Sequence, residues 1–146
     1  MQRMPRISKL KYADLQDCKG VLMAFGIKIS KADKLFSLYI RDRANWRCER
    51  CHAQYQYPTA SLHCSHFWSR RCKSVRFDED NAAALCFGCH NYFSSMPQEH
   101  RDFFMKRLGT RNFNLLTMRR NNLQRIDESL IVLGLKPLLK AKGYRV

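Results

Sequence analysis

The sequence predicts an α+β protein, with a small centre of strands and metal-spaced cysteines flanked on both sides by α-helices. Three observations lead there. Four of the seven cysteines form two Cys-x2-Cys pairs, Cys48/Cys51 and Cys86/Cys89. Apolar residues recur at helical spacing before the first pair and after the second. Charge divides the chain in the same way. Residues 1–47 hold 11 Lys/Arg against 4 Asp/Glu (+7), residues 48–96 hold 5 against 4 (+1), and residues 97–146 hold 11 against 4 (+7). The chain therefore reads as a basic N-terminal helical extension (1–47), a nearly neutral core (48–96) and a basic C-terminal helical extension (97–146). A length of 146 residues suits one compact domain with modest extensions.

The formal net charge of +15 favours a polyanionic partner, through counterion release and electrostatic steering, so nucleic acid is the expected one. No apolar run approaches the ~18 residues that cross a bilayer. Residues 1–11 are basic and lack the apolar stretch of a secretion signal, so a soluble intracellular protein without a membrane partner is expected. Seven cysteines cannot all pair with one another, and reduced thiols are expected.

Residues 1–11 read as loose, and 12–25 as a short, imperfect helix interrupted by Gly20 and followed by Gly26. Ser30 is placed as an N-cap with Asp33 three positions on, and Leu35, Phe36, Tyr39 and Ile40 mark one face of a helix running to about Arg43. In the centre, 60–67 suits a strand and 68–80 is polar. The apolar run 82–85 leads into the second cysteine pair, and His90-Asn91-Tyr92-Phe93 begins a helix. Farther on, Ser95-Met96-Pro97 starts a helix that Gly109 stops. A second follows over 113–121, and a third over 123–135 ends before Pro137. These apolar stripes are read as core.

Each Cys-x2-Cys pair forms a knuckle that aims two sulfurs at one ion, and two knuckles complete a tetrahedron around Zn2+. Four protein ligands leave no position for water, so this zinc is expected to be structural, worth about 10 kcal/mol or more of folding free energy. Cys18, Cys64 and Cys72 remain, and are read as small apolar residues.

Between the knuckles run Leu62-His63-Cys64-Ser65-His66-Phe67 and Asp78-Glu79-Asp80-Asn81, and then Leu85-Cys86-Phe87-Gly88-Cys89-His90. Over about residues 36–108 this order and spacing resembles the HNH (ββα-metal, His-Me finger) endonucleases, specifically their four-cysteine zinc subgroup. Ser65-His66-Phe67-x-Ser69-Arg70 with Arg76-Phe77-Asp78 is similar, more weakly, to phage recombination nucleases of the NinG/Rap type. The resemblance implies a small zinc-bound ββα-metal core and a metal-dependent hydrolysis of DNA phosphodiester bonds leaving 5′-phosphate and 3′-hydroxyl ends. It also implies work on DNA in recombination, by a phage or prophage gene product in bacterial cytoplasm.

By the same resemblance His66 is the general base, Asn81 ties the loop to the strand and orients His66, and His90 holds the catalytic metal. The chemistry is consistent: a neutral imidazole near pH 7 can take a proton from an attacking water. Where the family has Asp before the base, this chain has Ser65, a poorer ligand for a hard dication. Either Ser65 ligates weakly, or another group such as His63, on the same strand face by two-residue alternation, takes its place. Mg2+ is then joined by Mn2+, Co2+ and Ni2+ as admissible catalytic ions, since imidazole suits transition metals. Arg70, Arg71, Lys73 and Arg76 are expected to neutralise neighbouring phosphates, as are Arg119 and Arg120. No recognition module is evident, so the expected substrate is DNA of low sequence specificity, or branched or nicked DNA. The alternatives are a non-catalytic, zinc-stabilised nucleic-acid-binding module, which Ser65 favours, and a zinc-ribbon scaffold, which the basic flanks disfavour.

Overall fold

A computed structural model of the chain describes residues 28–122 and 124–146. The expectations of a loose start, a helix over 12–25 and an apolar Cys18 lie outside these residues. Helix α1 (Lys31–Arg43) starts as the sequence predicts. Ser30 Oγ accepts from the Asp33 amide at 3.2 Å, and the Asp33 carboxylate accepts from the Ser30 amide at 2.8 Å. This reciprocal box satisfies two of the helix's orphan N–H groups and is worth about 1 kcal/mol. The buried stripe Ala32, Phe36 and Ile40 then faces the core.

The chain turns after α1 through Asn45 and Trp46, both in the left-handed region, and enters the first knuckle. An antiparallel bridge between Arg47 and Gln54 closes that knuckle, with His52 left-handed at its exit. Strand β1 (Leu62–His66) and strand β2 (Ala82–Cys86) form a two-stranded antiparallel sheet in which Leu62 faces Cys86 and His66 faces Ala82. Ala82, Ala83, Ala84 and Leu85 are all fully buried, so β2 is covered on both faces. Such a strand reads as a continuous apolar run rather than an alternation. The loop between the strands carries two 3-10 turns, Lys73–Val75 and Glu79–Asn81, and buries Trp68, Cys72 and Val75 against Leu116. Cys72 is disulfide-bonded, which corrects the expectation of a reduced thiol there.

Helix α2 (Phe87–Ser95) follows β2 without a linker, capped by Cys86, whose sulfur accepts from the Cys89 amide at 3.4 Å. Helix α3 (Pro97–Asn121) opens with Pro97, tolerated because a first-turn N–H has no helical partner. The helix is broken at Gly109, where φ is 75° and ψ 157°, and resumes beyond it, so the expected stop and restart coincide with a kink. Phe104 and Phe113, on either side of the break, both enter the main core.

The last helix corrects the sequence reading. Helix α4 spans Glu128–Ala141, starts later than 123 and runs through Pro137. Its start is set by Asp127, whose carboxylate accepts from the Ser129 amide at 2.8 Å. Continuation past Pro137 forfeits the hydrogen bond to the Leu133 carbonyl, at a cost of about 3 kcal/mol inside a helix. Leu133 is exposed, so water can solvate that carbonyl, while Leu139 beyond the proline is fully buried against Leu35 and Leu38 of α1. Packing outweighs the missing donor. The C-terminus is pinned to the same helix: Tyr144 donates to Asp42 at 2.8 Å, and Lys142 is ion-paired with Asp42.

Among the described residues the fold is thus four helices around one two-stranded antiparallel sheet. None of the described helices is long and apolar enough to cross a membrane.

Candidate functional site

The two knuckles meet. Cys48 and Cys51 come from the turn after α1, Cys86 and Cys89 from the junction of β2 and α2, and their sulfurs all lie within 4.8 Å of one another. Cys51 and Cys86 are 3.7 Å apart, and all four are free thiols. Four sulfurs at ~2.3 Å from one ion stand about 3.8 Å apart along each edge of a tetrahedron, so the cluster can hold a metal ion. Polar neighbours suit thiolates. The Cys86 amide donates to Cys48 Sγ at 3.3 Å, and Arg50 lies 3.6 Å from Cys89 Sγ. For Cys86, burial pushes the thiol pKa up, but the Cys89 N–H and the neighbouring thiols outweigh it and bring it to about 7.

One residue past Cys89, His90 lines a cavity of about 530 Å3 together with His63 and His66. Among the described residues the sheet has two strands, so one edge of β1 is unpaired by them, and residues from both faces of β1 reach this cavity. The rings of His63 and His90 are 5.4 Å apart, centroid to centroid, and tilted by 31°. Two imidazoles sharing one ion at ~2.1 Å have centroids no more than roughly 6 Å apart, so the spacing of this pair permits a shared cation. Burial, and then the neighbouring His63, hold His90 below the usual imidazole range.

His66 differs. Its Nε2 lies 3.1 Å from the carbonyl oxygen of Arg76. A carbonyl only accepts, so Nε2 carries the proton and Nδ1 keeps its lone pair. Burial pushes the imidazole down to about 4, aided by Arg70 and Arg76 and opposed by the Arg76 carbonyl and Asp33. It is neutral at pH 7.

Asn81 is completely buried and does not line the cavity. Its side-chain oxygen accepts from the Trp68 amide at 2.7 Å, and its nitrogen donates to the carbonyls of Trp68 and Val75, each at 2.9 Å. It therefore ties the loop to the end of β1. The Val75 carbonyl it holds immediately precedes the residue whose carbonyl meets His66. Its part is positional.

Ser65 is buried at 3% exposure and is not on the cavity wall, so His63, not Ser65, is the neighbour that β1 brings to His90. Alternation along β1 gave the signal for His63. Asp33, read only as a cap, is the one carboxylate lining the cavity among the described residues. It accepts from Arg76 Nε at 2.9 Å and from the Ser30 amide, so its oxygens are engaged. Burial works against its charge, but the bonds from Arg76 and Ser30 prevail and hold its pKa below the usual value. Cys64 also lines the cavity, and burial pushes its thiol up to about 12, so it stays protonated.

The basic residues divide. Arg70 lines the cavity, and Arg71 and Lys73 are exposed on the loop. Arg76, expected at a phosphate, is ion-paired with Asp33 and, at 3.6 Å, with Glu128. Arg119 likewise pairs with Asp78 at 2.6 Å and Asp80 at 2.7 Å, so its charge is already matched. Arg120 lies over the Trp68 ring, 4.8 Å from its centroid. Compared with known protein families, with curated proteins and with solved structures, the chain matches none.

Proposed function

We propose that this chain is a metal-dependent endonuclease that hydrolyses DNA phosphodiester bonds with His66 as general base. One observation carries the reading: a neutral imidazole with a free Nδ1 lone pair shares a cavity with a pair of imidazoles whose spacing permits one cation. The order β1–β2–α2, with the cysteine cluster at its base, supports an HNH-type ββα-metal core. The cluster's all-thiolate ligand set suits structural Zn2+.

In this reading His66 Nδ1 removes a proton from water as the water oxygen bonds to phosphorus. The bond from phosphorus to the 3′ oxygen breaks, and that oxygen takes a proton from solvent. Arg70, on the cavity wall, holds the phosphate by charge. His90 and His63 are the residues that would hold the catalytic ion, with His63 in the place expected of Ser65. A divalent ion held there would supply charge stabilisation at the phosphate and departing oxygen. Two imidazoles and no free carboxylate favour Mn2+, Co2+ or Ni2+ over Mg2+. With no recognition module evident, the substrate is DNA of low sequence specificity or DNA with branches or nicks.

A supercoiled plasmid incubated with the protein and each of these ions tests the reading. Nicking is expected with transition metals, and His66→Ala is expected to abolish it while leaving folding and DNA affinity intact. Metal-dependent nicking that persists in this variant would defeat the assignment. A second reading, a zinc-stabilised nucleic-acid-binding module without catalysis, is favoured by the engagement of Asp33 and the burial of Ser65. It predicts a mobility shift with every ion and nicks with none.

A further inference from the structure

A second concavity, of about 630 Å3, borders the cysteine cluster, shares no lining residue with the imidazole cavity and plays no part in the proposed chemistry. Cys48 lines it, whereas His90, next to Cys89, lines the imidazole cavity. Its wall carries Arg47, Arg50, Lys106 and Arg107 against a single carboxylate, Glu49. That carboxylate is already engaged by Arg107 at 2.8 Å, Arg43 at 3.4 Å and the Ala84 amide at 2.8 Å. Arg47, Arg50 and Lys106 have no carboxylate within ion-pair distance among the described residues, unlike Arg76 and Arg119. Arg47 and Lys106 thus face one hollow without a carboxylate partner, and Arg50 joins them with its guanidinium against Cys89 Sγ.

We infer that this basic hollow is a phosphate-binding site for the backbone of a nucleic acid, distinct from the imidazole cavity. The inference rests on the reading that the chain acts on nucleic acid, and adds where a second stretch of the strand is held. Arg50 is preorganised for such a contact, since its guanidinium lies 4.0 Å from the centroid of the Tyr92 ring and is held by Cys89 Sγ. A guanidinium fixed in this way loses less rotamer entropy on meeting a phosphate than a solvated one. Because one cysteine cluster underpins both cavities, a bound backbone would be positioned relative to the imidazoles by the same metal-stapled frame.

The test compares two charge-matched double variants of the full chain. R47E/K106E reverses two cations in the hollow, and K34E/K140E reverses two exposed cations outside both cavities. Binding to labelled duplex DNA and to duplex RNA of the same sequence is followed by anisotropy across a salt series, without added divalent metal. R47E/K106E is expected to weaken binding about tenfold or more and to flatten the salt dependence by about two phosphate contacts. K34E/K140E is expected to weaken it less than about threefold, with its slope unchanged. Equal losses in both variants, or none in R47E/K106E, overturn the inference. So does a loss of polyglutamate binding with nucleic-acid affinity unchanged. Loss on both duplexes assigns the hollow to the shared backbone, and loss on one assigns it to that helical form. If the reversals prevent folding, R47Q/K106Q and K34Q/K140Q are read by the same criteria. A protein that binds but never nicks defeats the hydrolysis and leaves the hollow standing. One that nicks, with an unchanged salt slope in R47E/K106E, defeats the hollow alone.

Discussion

His66 Nε2 and the carbonyl oxygen of Arg76, ten residues apart in sequence, lie 3.1 Å from each other across the loop that joins the two strands. That contact fixes the tautomer, while burial, which outweighs the contact's own upward pull, keeps the imidazole neutral down to a pH of about 4. The sign follows directly. An ordinary histidine protonates near 6.5, whereas this one keeps its basic lone pair until the pH falls through its lowered value. The rate of plasmid nicking at saturating metal is therefore expected to stay level from pH 7 to about 5.5, with an acid limb nearer 4. A limb near 6.5 that does not move with metal concentration would remove His66 as the base. A limb that moves with metal concentration reports metal binding and not His66.

Asn81 makes three side-chain hydrogen bonds and is completely buried. Asn81→Ala leaves the Trp68 amide and carbonyl unpartnered in the interior and takes from the Val75 carbonyl one of its two donors, the other being the Asp78 amide at 3.2 Å, each lost bond costing about 1 kcal/mol or more. A loss of about 3 kcal/mol in urea unfolding is expected, with the slope of the transition unchanged. A loss below about 1 kcal/mol would mean that water replaces the amide, and that the loop does not depend on it.

The cysteine cluster predicts one tightly held ion per chain and strong dependence of folding on it. Chelation, or Cys89→Ser, is expected to collapse the thermal transition, because thiolate ligation contributes about 10 kcal/mol or more to a centre this small. Elemental analysis of the purified protein should return zinc at one equivalent. A chain that melts identically with and without chelator contradicts the structural role.

What the sequence made legible were the local features: the Ser30/Asp33 capping box, the two knuckles, Pro97 as a helix opener and Gly109 as a break. Each depends on residues within a few positions of one another. What escaped the sequence is long-range. The ion pairs of Arg76 and Arg119 were not legible because their acidic partners, Asp33 and Asp78, lie 43 and 41 residues away along the chain. Pro137 looked like a helix end because nothing nearby announces that Leu139 packs against α1. In the cavity, His66 and His90 follow from motif spacing, whereas the contact between His63 and His90 needed the strand register to become visible.

His100 sits in an aromatic nest, stacked on Phe93 at 4.9 Å and edge-on to Phe67 and Phe104, and its Nε2 is buried without a hydrogen-bond partner. Burial, and then the charge of His90, push its pKa down to about 4. In the unfolded chain the same imidazole protonates near 6.5, so the contribution of His100 to stability is complete above that pH and is lost as the pH falls toward 4. Linkage puts the loss at about 2 to 3 kcal/mol by pH 4. Phenylalanine keeps the ring packing and removes both the orphaned nitrogen and the titration. His100→Phe is therefore expected to be at least as stable as the parent at pH 7 and more stable at pH 5 by a margin that widens on acidification. Measuring both proteins over the same pH series cancels the acid release of the cysteine-bound metal, which they share. A difference between them that stays constant from pH 7 to pH 4.5 would show that His100 reaches solvent and titrates normally.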